Sequence, residues 1–111
     1  MHKIVEYDGK QQKMVCNAIL PRLYRFNFGK DLVMEMRRFS DAYKKDPETV
    51  DFEVLENLTW LMLKEGGSEV AETPEEWLRS IEDPVAIYLL EGEAMELWQK
   101  GQAITARPKK K

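Results

Sequence analysis

Apolar residues recur through most of the chain at intervals of three and four positions, which is the spacing of one face of an α-helix. The segment 52–62 carries two overlapping stripes that leave little of its circumference polar. The stripes consist of Phe52, Leu55, Leu58, Thr59 and Met62, widened by Val54, Trp60 and Leu61. We therefore predict a central helix that is capped by Thr49 or Asp51 and ends near Glu65, before a Gly-Gly pair.

A second feature is a corner between two predicted helices. Gly29 can adopt the left-handed conformation that closes a helix, and Asp31 can accept hydrogen bonds from the free amide groups that open the next one. The first helix is predicted from about Leu20 to Phe28, with Pro21 in its first turn, where no amide hydrogen is needed. The second helix is predicted from Leu32 to about Lys44. Both carry apolar residues that can pack on whatever lies beneath the corner.

The last third of the chain predicts two more helices. Thr73 is a cap residue followed by a proline, and Glu76 occupies the capping-box position, so a short helix begins here and ends near Ile81. A fifth helix is predicted from Asp83 to about Lys100, where the next glycine ends it. Gly92 lies inside this helix and costs about 1 kcal/mol against Ala, so a close helix contact is one explanation for it.

The first residues of the chain predict strands. Two β-prone runs flank Asp8-Gly9, which is a strong hairpin signal, so we predict a hairpin over about residues 3–16. Its apolar face must lie on the helices or on a neighbouring subunit, because a lone hairpin is barely stable in water. The predicted fold is therefore mainly α: a single small domain over residues 1–101, with four to five helices and an N-terminal β-hairpin. Residues 102–111 are predicted to form a flexible basic tail.

The totals agree with one small domain. The chain has 111 residues, 43% of them hydrophobic, and its apolar runs are far shorter than the roughly 20 residues that cross a bilayer. Glu6 interrupts the first residues before a signal-peptide core could develop, so we expect an intracellular protein without a membrane span. Cys16 is the only cysteine, and we expect it to be a buried, inert thiol in a reducing compartment.

Charge is distributed unevenly along the chain. Residues 1–47 carry ten Lys/Arg and six Asp/Glu, residues 48–96 carry two basic and fourteen acidic residues, and residues 97–111 carry five basic residues and no acidic one. One explanation is that the helices of a small domain have solvated acidic faces. The other is that acidic and basic regions of neighbouring subunits attract each other, which would make the protein a homo-oligomer.

The sequence offers little that could perform chemistry. His2 is the only histidine, so no histidine-based triad can be assembled, and one Cys with one His cannot supply a structural zinc site. Gly29 and Lys30 do not form a phosphate loop, because Tyr24 stands where that loop needs a glycine. Carboxylate pairs are expected by chance in so acidic a segment. We therefore expect no catalytic, cofactor or metal site. We also expect no nucleic-acid partner, because an acidic chain binds the phosphate backbone poorly.

Several segments taken together carry a resemblance. They are Met14-Val15-Cys16-Asn17 at the end of the ribbon, Tyr24-Arg25 with Phe28-Gly29-Lys30-Asp31-Leu32, the helix 51–60, Glu75-Glu76-Trp77-Leu78, and Leu97-Trp98 before a lysine-rich end. In these segments, which span nearly the whole chain, the protein resembles the tail assembly chaperones of long-tailed phages and prophages of Gram-positive bacteria. Pro21 departs from the family pattern, in which this position holds a helix-forming residue other than proline.

The resemblance implies a non-enzymatic role. A protein of this family coats the long, aggregation-prone tape measure protein in the host cytoplasm, helps recruit the tail tube protein and is absent from the mature virion. The family is often made in two lengths by a ribosomal frameshift, and the lysine codons at residues 109–111 are compatible with a slippery site. The candidate partner-binding residues are the aromatic residues Tyr24, Phe28, Trp60 and Trp98, although tryptophans at helical spacing belong first of all to a core.

A different class of function stays open at this point. A small phage regulatory or DNA-binding helical protein would use the corner near Gly29 as the turn between two helices. Salt-dependent affinity for duplex DNA would favour this alternative, whereas co-purification with a long helical phage protein would favour the chaperone.

Overall fold

The computed structural model describes residues 1–104, with side chains described to Gly101. The elements in chain order are β1 (His2–Tyr7), β2 (Lys10–Val15), α1 (Leu20–Phe28), α2 (Leu32–Lys45), α3 (Glu53–Glu65), α4 (Pro74–Ser80) and α5 (Ala86–Ile104). The predicted fold class is confirmed: the protein is mainly α, with five helices and an N-terminal hairpin. The helical corner also has the predicted form. Gly29 is left-handed at φ 69°, and the Asp31 side chain accepts a hydrogen bond from the amide of Met34.

The hairpin is antiparallel, with His2 opposite Val15 and Tyr7 opposite Lys10. Asp8 and Gly9 both have positive φ, at 51° and 74°. Two such residues in a two-residue turn match the right-handed twist of the strands, which is why an Asp-Gly pair favours a hairpin. The hairpin lies on helices of its own chain, so its apolar face does not depend on another subunit.

Helix α3 is the centre of the fold, as predicted. It contacts β2 and each of the other four helices, and nine of its 13 residues are buried. Leu58, Met62 and Leu63 are fully enclosed. The helix begins at Glu53, two residues after Asp51. The Asp51 carboxylate accepts a hydrogen bond from the amide of Glu53 at 2.9 Å. A helix that is apolar on most of its circumference must be covered on most sides, which explains this central position.

The hairpin is fixed to the end of α3 by close backbone contacts. The Ser68 hydroxyl donates to the carbonyl of Lys13 at 2.9 Å and accepts from its amide at 3.0 Å. Gly66 lies directly beneath the same carbonyl, and a Cβ atom there would overlap it. At the other end of the hairpin, the indole N–H of Trp77 donates to the hydroxyl of Tyr7 at 3.1 Å. These contacts hold the hairpin against α3, and an open hollow lies beside Lys13 and Ser68.

The start of α4 is the predicted one, because Thr73 accepts a hydrogen bond from the amide of Glu76 at 3.2 Å. Helix α5 differs from its prediction at both glycines. It does not end at Lys100, because Gly101 stays helical and lies so close to Cys16 that a Cβ atom would be 3.3 Å from the sulfur. Cys16 itself is half-buried, and burial raises the pKa of its thiol.

Gly92 makes no close helix contact, so that explanation for it is wrong: a Cβ atom there would meet nothing within 4 Å. The reason is that Gly92 faces an open groove, described below, and not a neighbouring helix. The predicted flexible tail covered residues 102–111. Its first three residues continue α5, and the prediction for residues 105–111 lies outside the described residues.

Candidate functional site

Neither a metal-binding cluster nor a membrane-spanning helix is found among the described residues. Within residues 1–104, no three His, Cys, Asp or Glu side chains come together in a way that could hold a metal ion. In the same part of the chain, no helix has both the length and the apolar character needed to cross a bilayer. The feature that stands out is instead a groove on the surface.

The groove lies between α2 and α5, which both pack on α3 and leave a space between them. Its volume is about 390 Å³. Six large apolar or aromatic side chains line it: Phe39 and Tyr43 from α2, Phe52 and Leu55 from the start of α3, and Tyr88 and Met95 from α5. An apolar channel of this kind between helices is a common place for a ligand or a partner segment to bind.

The wall on the α2 side is built from aromatic rings that hold one another in place. Phe39 and Tyr43 stack with ring centres 5.9 Å apart, and Phe39 meets Phe52 edge-on at 5.5 Å. Tyr43 nevertheless remains 49% exposed, and Tyr88 across the groove is 64% exposed. Ordered aromatic side chains that stay accessible provide a large apolar contact area at a small entropic cost, as at many binding surfaces.

The groove continues along the two helices. A second hollow, of about 340 Å³, shares Ser40, Met95 and Gln99 with the first and extends to Val33 and Trp98. Its lining is more polar than that of the first hollow and includes Arg37 of α2. Because Tyr43 is near Tyr88 while Val33 is near Trp98, α2 and α5 run in opposite directions. Ten residues of helix separate Tyr88 from Trp98, which corresponds to about 15 Å. The combined groove is therefore as long as about three turns of a helix.

Glu91 is the one acidic residue in the lining of the first hollow. Only 4% of its surface is exposed, and its Oε2 atom has no hydrogen-bond partner among the residues that the structure describes. Burial, with a smaller contribution from the carboxylate of Glu56, raises the pKa of Glu91 from 4.5 to about 7. Lys44 also lines this hollow, but no ion pair joins it to Glu91 among the described residues.

The structure places the four candidate partner-binding residues in two different environments. Tyr24 and Trp60 are 1% and 2% exposed, and the Trp60 indole N–H donates to the carbonyl of Ala71 at 2.9 Å. Phe28 lies between them, 4.7 Å from the ring of Tyr24 and 6.1 Å from that of Trp60. Tyr24 and Trp60 are therefore core residues, because large aromatic side chains beside apolar neighbours fill the core, and Phe28 is half-buried beside them.

Trp98 has the other environment. It is half-buried and lines the second hollow of the groove between α2 and α5. Sequence reasoning missed the residues that make this groove, namely Tyr43, Tyr88, Glu91 and Met95. A signal was present in the run 85–90, which is apolar at six successive positions and thus wider than one buried stripe. Val85, Tyr88 and Leu89 are the members that remain exposed.

Comparison of the chain with protein-family models finds no match, and comparisons with curated proteins and with solved structures find none either. A function is therefore inferred from the groove and from the sequence features given above.

Proposed function

We propose that this protein is a non-enzymatic tail assembly chaperone, which binds and solubilises a tape measure protein in the host cytoplasm, helps recruit the tail tube protein and leaves before the virion is complete. The sequence resemblance supports this proposal. The observation that carries it is the exposed groove between α2 and α5, whose apolar part is lined by Tyr43, Tyr88 and Met95, with Trp98 at its more polar end. A protein that shields an aggregation-prone partner needs such an accessible apolar surface.

The groove suits a helical segment of the partner. A helix presents apolar side chains at positions i, i+3, i+4 and i+7, and a groove about three turns long can receive such a stripe. Met95 lies in the middle of the groove and can adapt to irregular side chains, since methionine is unbranched and flexible. The fourteen acidic residues between 48 and 96 would keep a complex with an apolar partner in solution.

Self-association is part of the proposal, because the charges of the chain are segregated. A similar pairing is present inside one subunit, where Lys3 contacts Glu93 at 2.7 Å and Glu96 at 3.2 Å. Sedimentation velocity across a salt series tests this part. At about 0.15 M salt the Debye length is about 8 Å, and it shortens as salt is raised. We therefore expect oligomers that dissociate at salt concentrations well above this value. A monomer at every salt and protein concentration would contradict it.

Co-expression tests the chaperone role. The tape measure protein of the genome that encodes this chain is produced with and without it, and the soluble fraction and co-purification are measured. We expect a soluble complex with the wild-type chain and its loss with Tyr88→Glu, which places a charge in the groove. The matched control is Phe26→Glu, because Phe26 is 86% exposed on α1, away from the groove, and should not matter. An insoluble tape measure protein beside the wild-type chain would refute the role.

The DNA-binding alternative finds less support at the corner between α1 and α2. Glu35 contacts both Lys30, at 3.7 Å, and Arg38, at 3.0 Å, so part of the positive charge there is neutralised. Duplex affinity that falls steeply with salt, and that is lost in Arg22→Ala with Arg25→Ala, would instead support the alternative.

A further inference from the structure

Glu91 is in a position that the fold itself does not explain. It lies on α5 one turn after Tyr88 and one turn before Met95, so apolar side chains flank it within the groove. A buried carboxylate without a partner is unfavourable, because it has lost its hydration and gained no hydrogen bond in return. The carboxylate of Glu56 on α3, which has the same sign, also acts on it. The first hollow is thus mostly apolar, with one buried carboxyl group in its lining.

We infer that the groove binds an amphipathic helix whose apolar face carries one lysine or arginine, and that Glu91 receives this cation. The inference rests on the proposed function, since the helix would belong to the tape measure protein. The aliphatic stem of a lysine or arginine can lie along Tyr88 and Met95 while its charged end reaches the carboxylate.

Glu91 would then determine which helix is accepted. A partner with a lysine at the matching position satisfies the carboxylate and offsets the repulsion from Glu56. A partner with an apolar residue there leaves Glu91 buried without a partner, and one with an acidic residue adds a third negative charge. Selection of this kind works by penalising wrong partners as well as by rewarding the right one.

Three synthetic helical peptides of about three to five turns test the inference. They share one apolar face and differ only at its central position, which is Lys, Leu or Glu. Affinities are measured by fluorescence anisotropy at about pH 8, where Glu91 is ionised. We expect the Lys peptide to bind at least about tenfold more tightly than the Leu peptide, and the Glu peptide to bind most weakly. Equal affinities of the Lys and Leu peptides would overturn the inference.

Two variants assign the preference to Glu91. Glu91→Gln has the same shape without the charge, and we expect it to bind the Lys and Leu peptides equally. Glu91→Lys should reverse the order and prefer the Glu peptide, which no loss of folding would produce. Glu75→Gln is the matched control, because it removes a carboxylate from the exposed part of α4, away from the groove. A preference for lysine that persists in Glu91→Gln would overturn the inference.

The pH dependence provides an independent readout. The groups facing the site are Glu56 from α3, Lys44 and Tyr43 from α2, and Tyr88 on α5 itself. We expect the preference of the wild-type chain for the Lys peptide to decline as the pH is lowered through about 7 and to be absent near pH 5. A preference that is the same at both ends of this range would count against Glu91.

The two proposals can fail separately. If the peptides behave as expected but the tape measure protein stays insoluble, the chaperone role fails and the cation preference of the groove stands. If Glu91→Gln solubilises the tape measure protein as well as the wild type does, the inference about Glu91 fails and the role stands. Oligomers that dissociate in Tyr88→Glu, together with peptides that do not bind, would show that a second copy of the chain occupies the groove.

Discussion

The two sides of α3 differ in how completely they are packed. On the side of the hairpin and α4, the indole N–H groups of Trp60 and Trp77 both donate hydrogen bonds. The Ser68 hydroxyl donates to the carbonyl of Lys13 and accepts from its amide. On the side of α2 and α5, Tyr88 is mostly exposed and the buried Oε2 atom of Glu91 has no partner. The packing around α3 is thus closer on one side than on the other.

This contrast separates stability from binding. The hairpin side contributes apolar burial to folding, and the polar groups named above are paired. One exception among the described residues is Oε1 of Gln12 on β2, which is buried without a hydrogen-bond partner. An open groove forgoes some of that apolar burial and keeps apolar surface available, as exposed patches on binding proteins do. Substitutions on the two sides of α3 should therefore differ in their effects on stability and on binding.

The largest effect is expected at the centre of α3, where Leu58 is completely buried. Leu58→Ala leaves a cavity and should lower the free energy of unfolding by roughly 2 to 5 kcal/mol. Urea denaturation followed by circular dichroism measures it. Leu89→Ala is the matched control on α5, because Leu89 is 70% exposed and its truncation should change stability by less than about 0.5 kcal/mol. Similar losses at both positions would mean that α3 is not the centre of the core.

The second effect depends on pH and belongs to the open side. Because the pKa of Glu91 is raised from 4.5 to about 7, the folded state binds more protons than the unfolded state in that range. Stability should therefore fall as the pH rises from about 4.5 to 7 and be level above it. Glu91→Gln should remove this fall and be more stable than the wild type at about pH 8, by up to about 3 kcal/mol.

Urea denaturation at a series of pH values measures the difference between Glu91→Gln and the wild type. The difference should vanish near pH 4, where the carboxyl group is protonated in both states. Glu75→Gln, which removes an exposed carboxylate from α4, is the matched control. A difference for Glu91→Gln that is the same at every pH would show that the carboxyl group is not desolvated.

Local sequence signals predicted the elements of this fold well. Asp8-Gly9, Gly29, Asp31 and Thr73 each require a particular backbone conformation or supply a particular hydrogen bond, and each has the predicted role. Such signals act within a few residues of the chain, so they can be recognised without knowledge of the tertiary structure.

The groove could not be predicted in the same way. Whether Trp60 and Trp98 are buried or accessible depends on which helices flank them, and their spacing in the sequence does not decide that. The two glycines of α5 show the same limitation. Gly101 lies close to Cys16, whereas Gly92 faces open space, although both glycines interrupt the same helical pattern in the sequence. Accessibility is a property of the assembled helices.

The third prediction tests the hairpin side at Gly66. Its φ of −75° suits any residue, so Gly66→Ala should not strain the backbone. The added methyl group would, however, overlap the carbonyl of Lys13 and force the hairpin away from α3. We expect a loss of roughly 1 to 3 kcal/mol, as for other overpacked sites. Thermal unfolding measures it, and an unchanged midpoint would show that the hairpin moves without cost.

The smallest effect is expected for Gly92→Ala, the counterpart of that substitution on the open side. A Cβ atom there meets nothing within 4 Å, and alanine has the higher helix propensity, so stability should rise by up to about 1 kcal/mol. Because Gly92 lines the groove, the methyl group should also weaken binding of the Lys peptide slightly, by less than about tenfold. Opposite signs for Gly66→Ala and Gly92→Ala would establish that the two sides of α3 differ in packing. If Gly92→Ala is instead destabilising, the space between α2 and α5 is filled in solution, by a closer approach of the two helices or by a second copy of the chain.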